Sequence, residues 1–191
     1  IYHAKEYNIR VMNLSLAADS TESWQTDPLA RAARSAVAAG ITVVVAAGNF
    51  GQTATGTQRH GTISSPGHDP SVITVGSGNT KGNTLRSDDT VNFFSSRGPT
   101  RGSYVDSTGM RRVDNLLKPD LVAPGNKIVG ALATDKAGNR NMLATTYPVL
   151  ASVPGASQGQ ASQVMFLSGT SVAAPAVSGT IALMLQANPG L

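Results

Sequence analysis

The sequence predicts an α/β fold in three layers, with a mostly parallel sheet and helices on both of its faces. Two apolar runs, 11–16 and 41–46, of which the second is rich in β-branched residues, flank a segment whose apolar residues recur at helical spacing. Short links join the three pieces, and such a strand–helix–strand unit places its two strands parallel in a covered sheet. Sheets of this class bind ligands at the carboxyl ends of their strands, so the residues that follow the two runs are candidate site residues.

Before residue 50 the expected elements are the tail of a helix at 2–7 stopping at Asn8, a strand at 10–16, a polar connection at 17–26, a helix, and a strand at 41–46. The helix has clear end signals. Asp27 is a good N-cap, Pro28 suits the first helical position, and Gly40 closes the helix.

After residue 50 the expected elements are a loop at 51–69, a strand at 71–75, a short strand-like piece at 91–94, a surface loop at 100–116, a strand at 127–131, a long excursion at 135–163, and a helix at 170–187. The excursion is rich in Gly, Ser, Ala and Gln, and the surface loop shows neither helical nor strand periodicity. We find no repeat, linker or second core, so the chain is expected to form one domain.

Composition excludes several classes of function. The chain has 191 residues, a net charge of +4 with its basic residues scattered, and few aromatic residues that could stack bases, so we expect no nucleic-acid partner. It has no cysteine, which rules out disulfides and thiolate metal sites. We find no apolar run in the sequence that is long enough to span a membrane, so no membrane partner is expected.

A candidate nucleophile lies in residues 166–175, which read FLSGTSVAAP. Ser171 stands between small residues where a loop enters a helix, and the helix dipole there favours developing negative charge. Gly169 and Thr170 leave room for substrate to approach the backbone, and Pro175 is expected in the first helical turn. A plain serine or threonine cap on a buried helix fits this stretch equally well.

A second candidate follows the strand at 41–46. That strand runs into Gly48 and Asn49, and an asparagine amide at such a position can donate to an oxyanion beside a serine nucleophile. An asparagine in a simple turn is the alternative interpretation.

Five motifs together resemble the subtilisin family of serine peptidases, and they stand in the family's order across almost the whole chain. They are VMNLSL at 11–16, AAGN at 46–49, FSSRGP at 94–99, KPDLVAPG at 118–125 and GTSVAAP at 169–175. The resemblance implies a subtilisin-like fold and a serine endopeptidase acting on polypeptides, with Ser171 as nucleophile and Asn49 as oxyanion donor.

The resemblance also implies where substrate binds. One side of the main specificity pocket comes from Ser15, Leu16 and Ala17, whose strand edge would pair with an extended substrate backbone. The other contributions fall on Ala46, Ala47, Gly48, Ser64 and Thr170. The chain departs from the family in two motifs: Ala17 and Ala18 replace the usual glycine pair, and Ala176 replaces the usual histidine after Pro175.

The family's catalytic Asp and His should precede residues 11–16, and no residue among 1–10 fits them. His60 copies the family's histidine motif only superficially, His3 sits in no motif, and His68 lies in a structural turn. The chain is therefore interpreted as the carboxyl-terminal part of one subtilisin-like domain, spanning 1–191, without its Asp and His part and inactive alone. The missing part, or another copy of the chain, is the expected partner at the exposed sheet edge.

The remaining expectations rest on the resemblance alone. No cofactor is required; calcium, which family members often bind, would fall near Gly67, Val72 and Asp120, although Asp120 is more simply a cap on the turn at 118–119. A secreted or cell-envelope location is expected. A catalytically inactive, peptide-binding homologue is the alternative function. An α/β-hydrolase esterase is disfavoured because residues 172–191 contain no Asp, Glu or His.

Overall fold

The computed structural model describes residues 1–159 and 163–191. The elements are β1 (Val11–Leu14), α1 (Pro28–Ala38), β2 (Thr42–Ala46), β3 (Ile73–Asn79), β4 (Thr90–Val91), β5 (Ser103–Val105), β6 (Arg111–Val113), β7 (Leu121–Pro124), β8 (Ile128–Ala131), α2 (Met142–Thr146), a 3-10 helix (Pro148–Ala151), β9 (Val164–Leu167) and α3 (Thr170–Ala187).

The central sheet is mostly parallel, as the sequence predicted. Strands β1, β2, β3 and β7 lie side by side in that order and pair in parallel, while the short β4 pairs antiparallel with β3. Helix α1 connects β1 to β2 as the expected strand–helix–strand unit. The carboxyl ends of the four parallel strands therefore share one edge of the sheet.

Strand β2 is buried on both faces because helices cover both. Val43 and Val45 belong to the core cluster that includes Ala33 and Ala36 of α1. Val44 and Ala46 alternate with them and pack with α3 on the opposite face. The continuous apolar run of β2 thus serves two cores, which confirms the three-layer prediction.

The boundaries of α1 follow its local signals. The Asp27 side chain accepts a hydrogen bond from the backbone N–H of Ala30, and Pro28 is the first helical residue. Gly40 has φ of +86°, a conformation that glycine adopts without steric cost, and it ends the helix. These three residues have the roles that the sequence predicted.

Several segments differ from the sequence-based expectation, and β7 (Leu121–Pro124) and β9 (Val164–Leu167) are strands where none was predicted. Residues 2–8 form turns where a helix end was predicted, although Asn8 does take a positive φ of 49°. The segment 100–116, predicted as a loop, contains the antiparallel hairpin β5–β6. Its turn is organised by Asp106, whose carboxylate accepts hydrogen bonds from Thr108 and Met110, a side-chain device that leaves no periodicity in the sequence.

The predicted excursion at 135–163 has structure of its own. It follows β8, carries α2 and the 3-10 helix, and leads into β9, which returns to pair antiparallel with β8. A separate apolar cluster holds it together, formed by Leu132, Ala144, Ala151 and Met165. The end of the excursion at 160–162 lies outside the described residues.

Helix α3 spans residues 170–187 as predicted, but Pro175 lies in its second turn and not in the first. The expectation about Pro175 was wrong because the helix already begins at Thr170. A proline at this depth removes one hydrogen bond of the helix ladder, since it has no N–H to donate to Ser171 four residues earlier.

By length and composition alone, α3 is long and apolar enough to cross a membrane, which the sequence analysis did not anticipate. In the structure α3 contacts β1, β2, β3 and β7, and Ala173 and Ala174 are fully buried against the sheet. A helix that packs on a sheet can have the same length and hydropathy as a membrane-spanning helix. The expected absence of a membrane partner stays a prediction.

Candidate active site

Ser171 is the second residue of α3, at the carboxyl edge of the sheet. The loop before it is anchored by the N–H of Gly169, which donates to the carbonyl oxygen of Gly125 at 2.9 Å. Thr170 is fully buried, whereas Ser171 is partly exposed. The N–H of Ser171 is a first-turn group that lacks a partner within the helix and carries the positive end of the helix dipole.

Asn49 lies beside this turn, and its orientation is fixed by Thr170. The Oδ1 atom of Asn49 accepts hydrogen bonds from both the backbone N–H and the hydroxyl of Thr170, each at 3.0 Å. The Thr170 hydroxyl in turn accepts from the N–H of Gly48 at 3.2 Å. Because the Thr170 N–H can only donate, the amide oxygen of Asn49 must face it. The Nδ2 group is therefore left to donate elsewhere.

Ser15 joins the end of β1 to the turn at the start of α3 that carries Ser171. Its hydroxyl donates to the carbonyl oxygen of Ser171 at 2.7 Å and accepts from Nδ2 of Asn13 at 2.8 Å. The hydroxyl of Ser178, two turns along α3, donates to Oδ1 of Asn13 at 2.9 Å. The Ser171 carbonyl is free to accept because Pro175 has no N–H. The sequence analysis missed this chain of contacts.

The residues predicted to bind substrate lie close together at the carboxyl edge of the sheet, and we call the space between their two sides the predicted cleft. Ala46, Ala47 and Gly48 are buried at the end of β2, and the N–H of the buried Ser64 donates to the carbonyl oxygen of Ala47 at 3.1 Å. Gly48 has φ of +104°, and a Cβ added there would lie 2.5 Å from the Ser64 hydroxyl, so only glycine fits.

Across the cleft, Ser15 and Leu16 are exposed and Ala17 is partly buried. Ala18 and Ser65 exchange two backbone hydrogen bonds of 2.9 Å, which fixes the distance between the two sides of the cleft. The structure thus brings the predicted residues together, while their roles in binding stay predictions.

Asp27 supports the cleft as well as capping α1. Its carboxylate accepts hydrogen bonds from the hydroxyls of Ser65 and Ser20, each at 2.8 Å, and from the N–H of Ala30 at 2.9 Å. Burial raises the pKa of Asp27, but these hydrogen bonds and the charge of His68 outweigh it, so the pKa lies below its ordinary value. The sequence predicted the cap and missed the link to Ser65.

None of the three histidines is hydrogen-bonded to Ser171 in the described part of the chain. The Nδ1 atom of His3 lies 2.7 Å from a carboxylate oxygen of Glu6, and both side chains are exposed. His60 is exposed and contacts Gln58. His68 is buried, and its Nε2 atom has no hydrogen-bond partner.

At the positions where calcium was considered, the oxygens accept hydrogen bonds from within the chain, and calcium binding stays a prediction. The ammonium of Lys118 lies 2.8 Å from the Val72 carbonyl oxygen and 2.7 Å from Oδ2 of Asp120. The Gly67 carbonyl oxygen accepts from the Thr74 hydroxyl at 2.6 Å. Within residues 1–159 and 163–191, no group of three or more His, Cys, Asp or Glu side chains could hold a metal.

Comparison with known proteins gives a consistent result. The sequence profile of the subtilase family matches residues 1–191. The serine protease AprX of Bacillus subtilis (strain 168) is 37% identical over 185 residues, which is 96% of this chain and 35% of AprX. The chain therefore spans about a third of the length of this relative.

Solved structures agree on the fold. The S41 psychrophilic protease is 22% identical, with a TM-score of 0.63 over 100% of this chain and 47% of its own. A cold-adapted subtilisin-like serine proteinase is 27% identical, with a TM-score of 0.52 over 95% of this chain and 43% of its own. The chain matches a little under half of each structure.

Proposed function

The chain belongs to the subtilase family of subtilisin-like serine peptidases, and from its geometry we propose that it carries the nucleophile and oxyanion site of a serine endopeptidase. Ser171 is the proposed nucleophile, and Asn49 is the proposed oxyanion donor. The substrate is a polypeptide, bound in extended form beside Ser15 and Leu16.

The observation that carries the proposal is the double hydrogen bond from Thr170 to Oδ1 of Asn49. It holds the Asn49 amide beside the turn that carries Ser171, and it uses only the amide oxygen, so the Nδ2 group can still donate. A preorganised donor of this kind stabilises charge that develops only in the transition state. An asparagine in an ordinary turn bonds to backbone two residues further on, as Asn79 and Asn83 do, whereas Asn49 bonds to a residue 121 positions away.

In the proposed reaction the Ser171 hydroxyl oxygen attacks the scissile carbonyl carbon while a histidine takes its proton. The oxyanion that forms accepts hydrogen bonds from Nδ2 of Asn49 and the N–H of Ser171. Collapse of this intermediate expels the amine, which receives the proton, and leaves an ester on Ser171 that water then hydrolyses.

We propose that the histidine and the aspartate that orients it come from outside residues 1–191. This is supported by the placement of His3, His60 and His68, none of which is hydrogen-bonded to Ser171 among the described residues. The chain alone should then hydrolyse peptides very slowly, because losing the base of such a triad lowers kcat by several orders of magnitude.

A secreted or cell-envelope location also stays a prediction.

The test uses complementation. The chain is mixed with a separately produced amino-terminal half of the same domain that carries the family's Asp and His, and cleavage of casein and labelling by a fluorophosphonate are measured. We expect both activities in the mixture and neither in a mixture made with Ser171→Ala. Labelling that persists in the Ser171→Ala mixture would place the nucleophile elsewhere.

The second candidate function is a peptide-binding homologue without catalysis. It is favoured by the same placement of the three histidines, since none of them is hydrogen-bonded to Ser171 among the described residues. A mixture that binds casein-derived peptides but neither cleaves them nor reacts with the fluorophosphonate would establish this function.

A further inference from the structure

An apolar cavity of about 590 Å³ lies next to the nucleophile turn. Its apolar wall consists of Leu143, Val149, Leu150, Pro154, Phe166 and Leu167. Cavities of roughly 300–1,000 Å³ are the usual size of sites that enclose small molecules or side chains. None of the predicted substrate-binding residues lines it, so it is separate from the cleft formed by Ser15 and Gly48.

The excursion between β8 and β9 builds most of this cavity. Leu143 lies in α2, and Val149 and Leu150 lie in the 3-10 helix. Leu150 also packs against the excursion's own core, which contains the buried Ala144 and Met165. One wall of the cavity is therefore held by a packed core and keeps its shape without a ligand.

The cavity is connected directly to the nucleophile turn. Ser168 lines it and stands three residues before Ser171, so their Cα atoms are at most about 11 Å apart. The N–H of Lys127, another lining residue, donates to the Ser168 hydroxyl at 2.9 Å. A group bound here would lie within a few residues of a peptide bond held at Ser171.

The sheet order shows on which side of Ser171 the cavity lies. Ser15 follows β1 and Asn49 follows β2. The lining residues Asn126 and Lys127 follow β7, which lies on the opposite side of the sheet from β1. The predicted acyl cleft lies between the ends of β1 and β2. A peptide that enters from this cleft and continues past Ser171 therefore reaches the cavity with the residues after its scissile bond.

We infer that this cavity is a subsite for a large apolar side chain in the leaving segment of the substrate, within three residues after the scissile bond. The inference rests on the proposed function, because it takes its direction from an acyl group on Ser171. Burying one such side chain stabilises a complex enough to change kcat/KM on the order of tenfold.

The first experiment measures cleavage by the complemented enzyme. Peptides share one acyl side and carry Phe, Leu, Gly or Asp at each of the first three positions after the scissile bond. We expect about a tenfold preference in kcat/KM for Phe or Leu over Gly at one of these positions. Leu143→Asn and Val149→Asp should remove this preference by lowering kcat/KM for the Phe or Leu peptide toward that for the Gly peptide.

Met142→Asp is the matched control. Met142 precedes Leu143, is 84% exposed and does not line the cavity, so its substitution should leave the preference intact. Val149 is itself 72% exposed, so Val149→Asp should not disturb folding. Equal cleavage of all peptides by the wild type, or a preference that survives in Leu143→Asn and Val149→Asp, would overturn the inference.

The second experiment needs no catalysis and separates this inference from the proposed function. Three peptide amides, each with 4-fluorophenylalanine at one of the first three positions, are titrated with the chain and followed by fluorine NMR. Line broadening by the wild type and Met142→Asp, but not by Val149→Asp, supports the subsite even if no cleavage occurs. No broadening, or equal broadening by all three proteins, rejects the subsite even if the enzyme is active.

Discussion

The hydroxyl of Ser15 donates a hydrogen bond of 2.7 Å to the carbonyl oxygen of Ser171, and so joins the end of an edge strand to the first turn of α3. This carbonyl would be bonded within the helix if residue 175 had an N–H to offer. Pro175 withdraws that donor, and a residue 156 positions earlier supplies the replacement. The proposed substrate-binding edge and the proposed nucleophile are thus joined by one contact.

The first prediction concerns Ser15→Ala. It leaves the exposed carbonyl of Ser171 to water and frees the end of β1, so we expect a loss of about 1 kcal/mol of stability, or about 2–4 °C in Tm. Ser15→Thr keeps the hydroxyl and should stay near the wild type. Thermal unfolding of the three proteins checks this, and equal Tm values for Ser15→Ala and the wild type would show that the contact contributes nothing.

The second prediction concerns Asn49. In the complemented enzyme, Asn49→Ala should lower kcat roughly a hundredfold to a thousandfold with little change in KM, because the lost hydrogen bond forms only in the transition state. Steady-state kinetics on one peptide substrate measures both constants. A variant with unchanged kcat and raised KM would instead place Asn49 in ground-state binding.

The sequence predicted three of the four parallel strands and the two covering helices because those signals are local, whereas β7 was not predicted. The apolar runs of β1 and β2, the Asp27 cap and the Gly40 stop each lie within a few residues of the feature they specify. The hairpin β5–β6 escaped prediction because the Asp106 side chain organises its turn. Side-chain hydrogen bonds to backbone do not produce an apolar period that could be read from the sequence.

For the candidate site, the sequence indicated the two residues that stand in motifs but not the long-range hydrogen bonds around them. Ser171 and Asn49 stand in motifs, so their proximity could be expected. The bond from Ser15 to Ser171 could not, since it depends on Pro175 lying one turn deeper in α3 than its local preference suggests. The bond from Ser65 to Asp27 likewise joins two loops that are distant in sequence, and nothing in either loop specifies the partner.

The third prediction concerns Lys118, whose side chain is 4% exposed. Its ammonium stands among oxygens of Val72 and Asp120 where a bound cation was considered. Lys118→Met keeps the aliphatic stem and leaves the Val72 carbonyl unpaired, so we expect a loss of about 1–3 kcal/mol. With the ammonium gone, calcium chloride should restore part of this stability, whereas the wild type should not respond.

Thermal unfolding with calcium chloride or with EDTA measures the effect of Lys118→Met. The double variant Lys118→Met/Asp120→Asn is the control, because it lacks the carboxylate that would attract the ion. An equal response of the wild type and Lys118→Met to calcium, or no response by either, would contradict the interpretation that the ammonium occupies the place of a cation.

The fourth prediction concerns Asp27 and pH. Burial raises the pKa of Asp27, but the hydrogen bonds from Ala30, Ser65 and Ser20 lower it by a larger amount. The folded pKa therefore lies below the value of about 3.9 in the unfolded chain. The carboxylate therefore contributes its full stability above about pH 4, and this contribution is lost as the pH falls through the lowered pKa. Asp27→Ser keeps a helix cap but cannot titrate, so its stability should fall less steeply below pH 4 than that of the wild type. Urea unfolding between pH 2.5 and pH 7 measures the difference. The same slope below pH 4 in both proteins would show that the Asp27 carboxylate is not responsible for the loss of stability in acid, and the link from α1 to Ser65 would then not depend on its charge.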